Sequence, residues 1–109
     1  MKLNIYNKKE IVKTYEVETS DLMFGTVEDI SQVLDIRPDT KITNEKLIEL
    51  VTEFIGTRMD EVKTLLKDIF DGLTDDELRH SRMSEFVTVI TEVVAFTLGA
   101  LGKGNNEKN

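Results

Sequence analysis

Apolar and polar residues alternate at the start of this chain and then shift to a spacing of three and four. Leu3 and Ile5 alternate along Leu3-Asn4-Ile5-Tyr6, and Ile11, Tyr15 and Val17 do so around Lys13. That period of two predicts two strands. Between them Asn7-Lys8-Lys9-Glu10 is a polar loop of hairpin length. A lone hairpin is marginal in water, so this one is expected to lean on its own helices or to add to another chain's sheet edge.

From Thr19 the pattern becomes helical. Thr19-Ser20-Asp21 offers an N-cap, and Leu22, Met23, Val27, Ile30, Val33 and Leu34 follow near helical spacing. Gly25 is a candidate break, with Thr26 and Asp29 as a capping pair that restarts the helix. Pro38 biases Arg37 away from the helical region and ends the segment, and a polar loop runs from Asp39 to Thr43. Thr43 or Asn44 caps a second helix with the stripe Leu47, Leu50, Val51, Phe54 and Ile55. After Gly56, a cap at Thr57 with Asp60 precedes Val62, Leu65, Leu66 and Ile69, giving helices over about 44–55 and 58–70, or one kinked helix. Gly72 suits a left-handed residue past the helix end. Thr74-Asp75-Asp76-Glu77 is a capping box opening a short helix through about Arg79.

Met83 to Leu101 is the longest apolar stretch. Its run VTVITEVV is rich in β-branched residues, which favour strands. Its length, the cap candidates Ser81 and Ser84, and the following Gly102 and Gly104 predict a helix instead. At about 100° per residue, Phe86, Val87, Val89, Ile90, Val93, Val94, Phe96, Leu98, Ala100 and Leu101 fill an arc of about 200°. A surface helix needs an apolar stripe of only about 100°. This helix is therefore either the centre of a compact bundle or meets its own domain on one flank and a partner on the other. Phe86, Val89, Ile90, Val93, Val94, Phe96, Leu98 and Leu101 are its candidate interface for self-association or for a client. The hairpin edge and the first helix are the alternative contacts if those residues are core.

The pattern gives a mainly α fold: a small helical bundle with an N-terminal β-hairpin. One domain spans 1–101, with the hairpin over 1–17 and helices over 20–101, followed by a flexible polar tail over 102–109. With 109 residues and 39% hydrophobic content, such a chain can build one core. Acidic residues outnumber basic ones 21 to 14, for a net charge of −7. This weighs against binding nucleic acid or an anionic membrane, both of which need a basic surface. Glu85 and Glu92 interrupt the last apolar run and argue against a membrane span. Met1-Lys2 leads straight into a strand pattern, so no signal peptide is expected. There is no cysteine, which excludes disulfide and thiolate chemistry and permits a reducing compartment.

Few residues suggest catalysis. His80 is the only histidine, so a zinc site would have to rest on carboxylates, and a capping or surface role is expected. Asp71, Asp75, Asp76 and Glu77 are the densest acidic cluster, but they lack the alternating ligands of a calcium loop, and caps and the helix dipole account for them. Ser20, Ser31, Ser81 and Ser84 lack a glycine-elbow context, and the six glycines form no phosphate-binding spacing. The lysine-rich turn at Lys8-Lys9 reads as a solvated tip. No catalytic residue, metal site or cofactor is expected.

Three blocks carry a resemblance. Leu3-Asn4-Ile5-Tyr6-Asn7-Lys8-Lys9-Glu10 with Val12-Lys13-Thr14-Tyr15, then Asp21-Leu22-Met23-Phe24-Gly25-Thr26-Val27-Glu28-Asp29, and above all Leu65-Leu66-Lys67-Asp68-Ile69-Phe70-Asp71-Gly72-Leu73-Thr74-Asp75-Asp76-Glu77-Leu78 resemble the tail assembly chaperones of long, flexible-tailed phages and prophages of Gram-positive bacteria. The resemblance covers nearly the whole chain and is weakest over Ile36 to Glu45. It implies a non-enzymatic, mostly helical, self-associating protein in the cytoplasm of the bacterial host. Such a protein coats the tape measure protein, helps to recruit tail tube subunits and is absent from the mature virion. Many members of the family are also made as a longer, frameshifted product, for which the tail from Gly102 would be the natural junction. The physical reading agrees in kind, since a chaperone for an extended client needs repeated apolar surface rather than a pocket. A small acidic regulatory adaptor for a transcription or replication protein fits the same charge and helices. A metal-dependent hydrolase would require a divalent ion at Asp71, Asp75 and Asp76.

Overall fold

The computed structural model describes residues 1–34 and 43–100. The expected Pro38 boundary, most of the polar loop that follows it, Leu101 and the polar tail lie outside these residues. Two strands, β1 (Lys2–Asn7) and β2 (Glu10–Glu16), form an antiparallel hairpin. A 3-10 turn (Thr19–Asp21) leads to α1 (Phe24–Leu34). Then come α2 (Asn44–Thr57), α3 (Met59–Ile69), the one-turn α4 (Asp75–Arg79) and α5 (Met83–Ala100). The fold is the helical bundle with an N-terminal hairpin that the periodicity predicts.

The hairpin departs from strict alternation. Ile5 pairs with Lys13 and Tyr6 with Ile11, which leaves Val12 as an extra residue in β2. Such a bulge sets two residues of one strand against one of the other and turns side chains off the regular face. Tyr15 is buried as expected, whereas Ile11, expected on the same face, is 54% exposed and Val12 60%. The ladder runs past the strand ends: the Val17 amide donates to the Met1 carbonyl (2.9 Å) and the Met1 ammonium to the Val17 carbonyl (2.8 Å). The other edge of β1 is covered where the Tyr6 amide donates to the His80 carbonyl (2.8 Å) and Ile5 bridges to Ser81.

The helix starts are corrected in three places. Thr19–Asp21 form a 3-10 turn rather than an α-helical start, and α1 begins at Phe24 with Gly25 inside its first turn. The Thr26 hydroxyl donates to Asp68 Oδ2 (2.7 Å) instead of capping. The break between α2 and α3 falls at Arg58 (φ −128°, ψ 39°), past Gly56, and the Thr57 hydroxyl bonds back to the Glu53 carbonyl (2.7 Å) rather than capping α3. Ser81 bonds the Leu78 carbonyl (2.7 Å), so α5 opens instead on the Arg82 carbonyl, which accepts from Glu85 and Phe86. Other signals hold. Thr43 caps α2, the Thr74–Glu77 capping box is closed in both directions, and Gly72 has φ +91°.

One core joins these elements, with α5 packed against β1, the 3-10 turn, α1 and α2. On α5 the buried residues are Phe86, Val89, Ile90, Val93, Val94, Thr97 and Leu98, spaced by three and one in turn. This is a single helical stripe with half-buried Val87 and Phe96 beside it. The threonines fit the helix because their hydroxyls bond back one turn: Thr88 to Ser84, Thr91 to Val87 and the fully buried Thr97 to Val93.

Candidate interaction surfaces

The candidate interface on the last helix resolves residue by residue. Phe86, Val89, Ile90, Val93, Val94 and Leu98 are buried in the chain's own core, Phe96 is half-buried, and Leu101 lies outside the described residues. As a face for another molecule these six are already taken. The physical reason is that the sequence arc of about 200° counts every apolar residue equally. The neighbours need only the stripe, and they surround it on several sides. Of the two arrangements open to this helix, the centre of a compact bundle is the one observed for these six residues, and their expected role as an interface is corrected.

Apolar side chains do remain exposed elsewhere. Met23 is 74% and Phe24 80% exposed where the chain enters α1, and Ile11 and Val12 stand out of β2. These four lie at the first helix and the hairpin edge, the alternative contacts; Ile48 of α2 and Met83 at the start of α5 are the other exposed large apolar side chains among the described residues. A signal for Phe24 exists in the sequence: at about 100° per residue it lies about 120° around the helix from buried Ile30. Met23 escapes that test because it precedes the helix.

A second feature, not legible beforehand, is a cleft of about 600 Å³ lined by α1, α2 and α3. The helices α1 and α3 run antiparallel, since Thr26 near the start of α1 meets Asp68 near the end of α3, while Val33 and Leu34 at the end of α1 share a small pocket with Arg58 at the start of α3. Between them lies a floor of Ile30, Val33, Phe54 and Leu65 under a rim that includes Asp29, Glu61 and Asp68. The rim's lysine, Lys67, is drawn to Asp75 (2.6 Å).

The hairpin is fastened by two tyrosine–glutamate clasps. Tyr15 donates to Glu77 Oε1 (2.6 Å), which also accepts the Thr74 amide (3.1 Å), while Lys13 reaches Oε2 (3.3 Å) and lies 4.6 Å over the Tyr15 ring. Tyr6 donates to Glu85 Oε2, the Asn4 amide donates to Oε1 (3.0 Å), and the Arg82 guanidinium lies 4.1 Å over the Tyr6 ring. The Tyr15 hydrogen bond holds the Glu77 carboxyl below its usual range. For Glu85, desolvation pushes upward, but the bonds from Tyr6 and Asn4 outweigh it and the net shift is down. The bond to Glu85 raises the Tyr6 phenol. The acidic cluster is thus dispersed: Glu77 closes a clasp, Asp75 pairs with Lys67, and His80 Nδ1 donates to the Asp76 carbonyl (2.8 Å) at the end of α4.

Among the described residues no three His, Asp or Glu side chains gather as a metal site, and no helix is long and apolar enough to cross a membrane. Comparison with family models, with curated proteins and with solved structures gave no match to this chain.

Proposed function

We propose that this chain is a non-enzymatic chaperone for phage tail assembly, which binds the tape measure protein and promotes recruitment of tail tube subunits. One observation carries the reading. The blocks that resemble such chaperones contain three of the six exposed large apolar side chains among the described residues, Val12, Met23 and Phe24, the last two being the most exposed. The contact surface is accordingly the start of α1 and the outer strand of the hairpin, with the last helix as core. Apolar contact there shields the client from aggregation until tube subunits displace the chaperone, and net negative charge keeps the free form dispersed. The chaperone acts in the host cytoplasm, self-associates there and is left out of the finished virion.

The test is co-expression with the tail proteins followed by affinity capture and mass spectrometry. The expected capture is a very long helical tape protein, lost in the variant Met23→Asp, Phe24→Asp, whose melting temperature should match that of the parent. Capture of a compact DNA-associated protein instead would replace this reading with the regulatory adaptor.

A further inference from the structure

The charge of this molecule is segregated. Residues 1–17 hold four lysines against two glutamates, which leaves ten basic against nineteen acidic residues in the rest of the chain. An acidic protein thus carries one basic arm, with Lys8 and Lys9 at its turn and the exposed Ile11 and Val12 beside them on β2. The cleft between α1, α2 and α3 has the complementary character, an apolar floor beneath Asp29, Glu61 and Asp68.

The arm is not placed to fill the cleft of its own chain. No residue of the hairpin, α4 or α5 lines it. The hairpin is clasped to Glu77 of α4 and Glu85 of α5, and β1 bonds to His80. Moving the arm into the cleft would break all three attachments.

We infer that the cleft receives the hairpin tip of a second copy of this chain, with Ile11 and Val12 over its floor and Lys8 and Lys9 against Asp29, Glu61 and Asp68. The two halves of this contact are different surfaces, so each copy has a tip to offer and a cleft to fill, and the contact adds copies head to tail. Opposite charge aligns the copies and speeds their encounter, while the apolar pair supplies the buried area. This deepens the self-association in the chaperone reading and is tested without any client.

The experiment is sedimentation velocity of the full chain over rising concentration, at low and high salt. Two variants are compared: Lys8→Glu, Lys9→Glu and Asp29→Lys, Glu61→Lys. All four positions are exposed, and thermal melts confirm that each variant folds. The wild type should associate, and salt should weaken it. Each variant should associate about tenfold or more weakly than wild type. An equimolar mixture should recover association and alternate the two variants head to tail, because the unaltered tip of one variant meets the unaltered cleft of the other and the two reversed halves are again opposite in charge. A wild type that stays monomeric, reversals that leave association unchanged, or a mixture that does not recover would each overturn the inference. Association through this contact without capture of a tape protein would instead sink the chaperone reading and leave the interface standing.

Discussion

The last helix and the hairpin both look apolar in sequence, and the fold uses them in opposite ways. On α5 the buried residues form one stripe enclosed by β1, α1, α2 and the 3-10 turn. On the hairpin Leu3, Ile5 and Tyr15 enter the core, while the bulge turns Ile11 and Val12 outward. The amount of apolar surface in an element therefore does not decide whether it is available. Its phase relative to its neighbours does. The means of attachment also differs, since the middle and end of α5 are held by packing of the stripe, whereas the hairpin adds two clasps onto the carboxylates of Glu77 on α4 and Glu85 in the first turn of α5.

The sharpest way to break this contrast is to truncate one apolar residue on each side. Ile90 is fully buried, so Ile90→Ala should cost about 2–5 kcal/mol, from lost burial and the cavity left behind. Ile11→Ser should change stability by no more than about 0.5 kcal/mol, because the side chain already faces solvent. Urea denaturation of the two variants measures both. Similar costs would mean that the hairpin tip is packed in solution or that α5 is not.

The next effect concerns the clasps. Glu85→Ala removes the acceptor for Tyr6 and for the Asn4 amide. The expected loss is about 1 kcal/mol, at the low end for bonds to a charged group because the site is largely solvated. The same carboxylates predict a response to acid. Their folded pKa values lie below the ordinary 4.5, so the unfolded chain binds more protons as acid is added. The stability they give is full above that ordinary value and is lost as pH falls through the lowered one. Thermal melts taken from about pH 7 down to about pH 3 should show the wild type losing more than a Glu77→Gln, Glu85→Gln variant. Equal losses would assign the acid response to other carboxylates.

What was legible follows the same division. The helices of the bundle, the capping box at Thr74–Glu77 and the turn at Gly72 could be read because local rules set them. Spacing fixes a stripe, and a hydroxyl or a glycine fixes an end. The bulge at Val12 could not be read, because an extra residue leaves no mark in an alternating strand until its partner is known. The helix break falls at Arg58, two residues past Gly56: glycine is the stronger local signal, but the chain turns where α3 must pack. The apolar arc of α5 reads as a contact face in sequence because spacing shows how much apolar surface a helix has and not which neighbours cover it. The cleft needs three helices from separate stretches, and no window of sequence contains it.

The smallest effect compares the backbone of the two regions directly. Lys8 holds φ +61° in the hairpin turn, a left-handed conformation that costs an L-residue about 1–2 kcal/mol. Glycine takes it without that cost but gives back about 0.5–1 kcal/mol in unfolded-chain entropy. Lys8→Gly should therefore stabilise the protein by about 0.5 kcal/mol. On the exposed side of α5 the same kind of change has the opposite sign: Ala95→Gly should destabilise by about 1 kcal/mol, because the helix there wants a residue with a Cβ. Paired urea titrations would measure the two shifts side by side. A loss on Lys8→Gly would mean that the turn is not held left-handed in solution, and with it the register that sets Ile11 and Val12 outward would be in question.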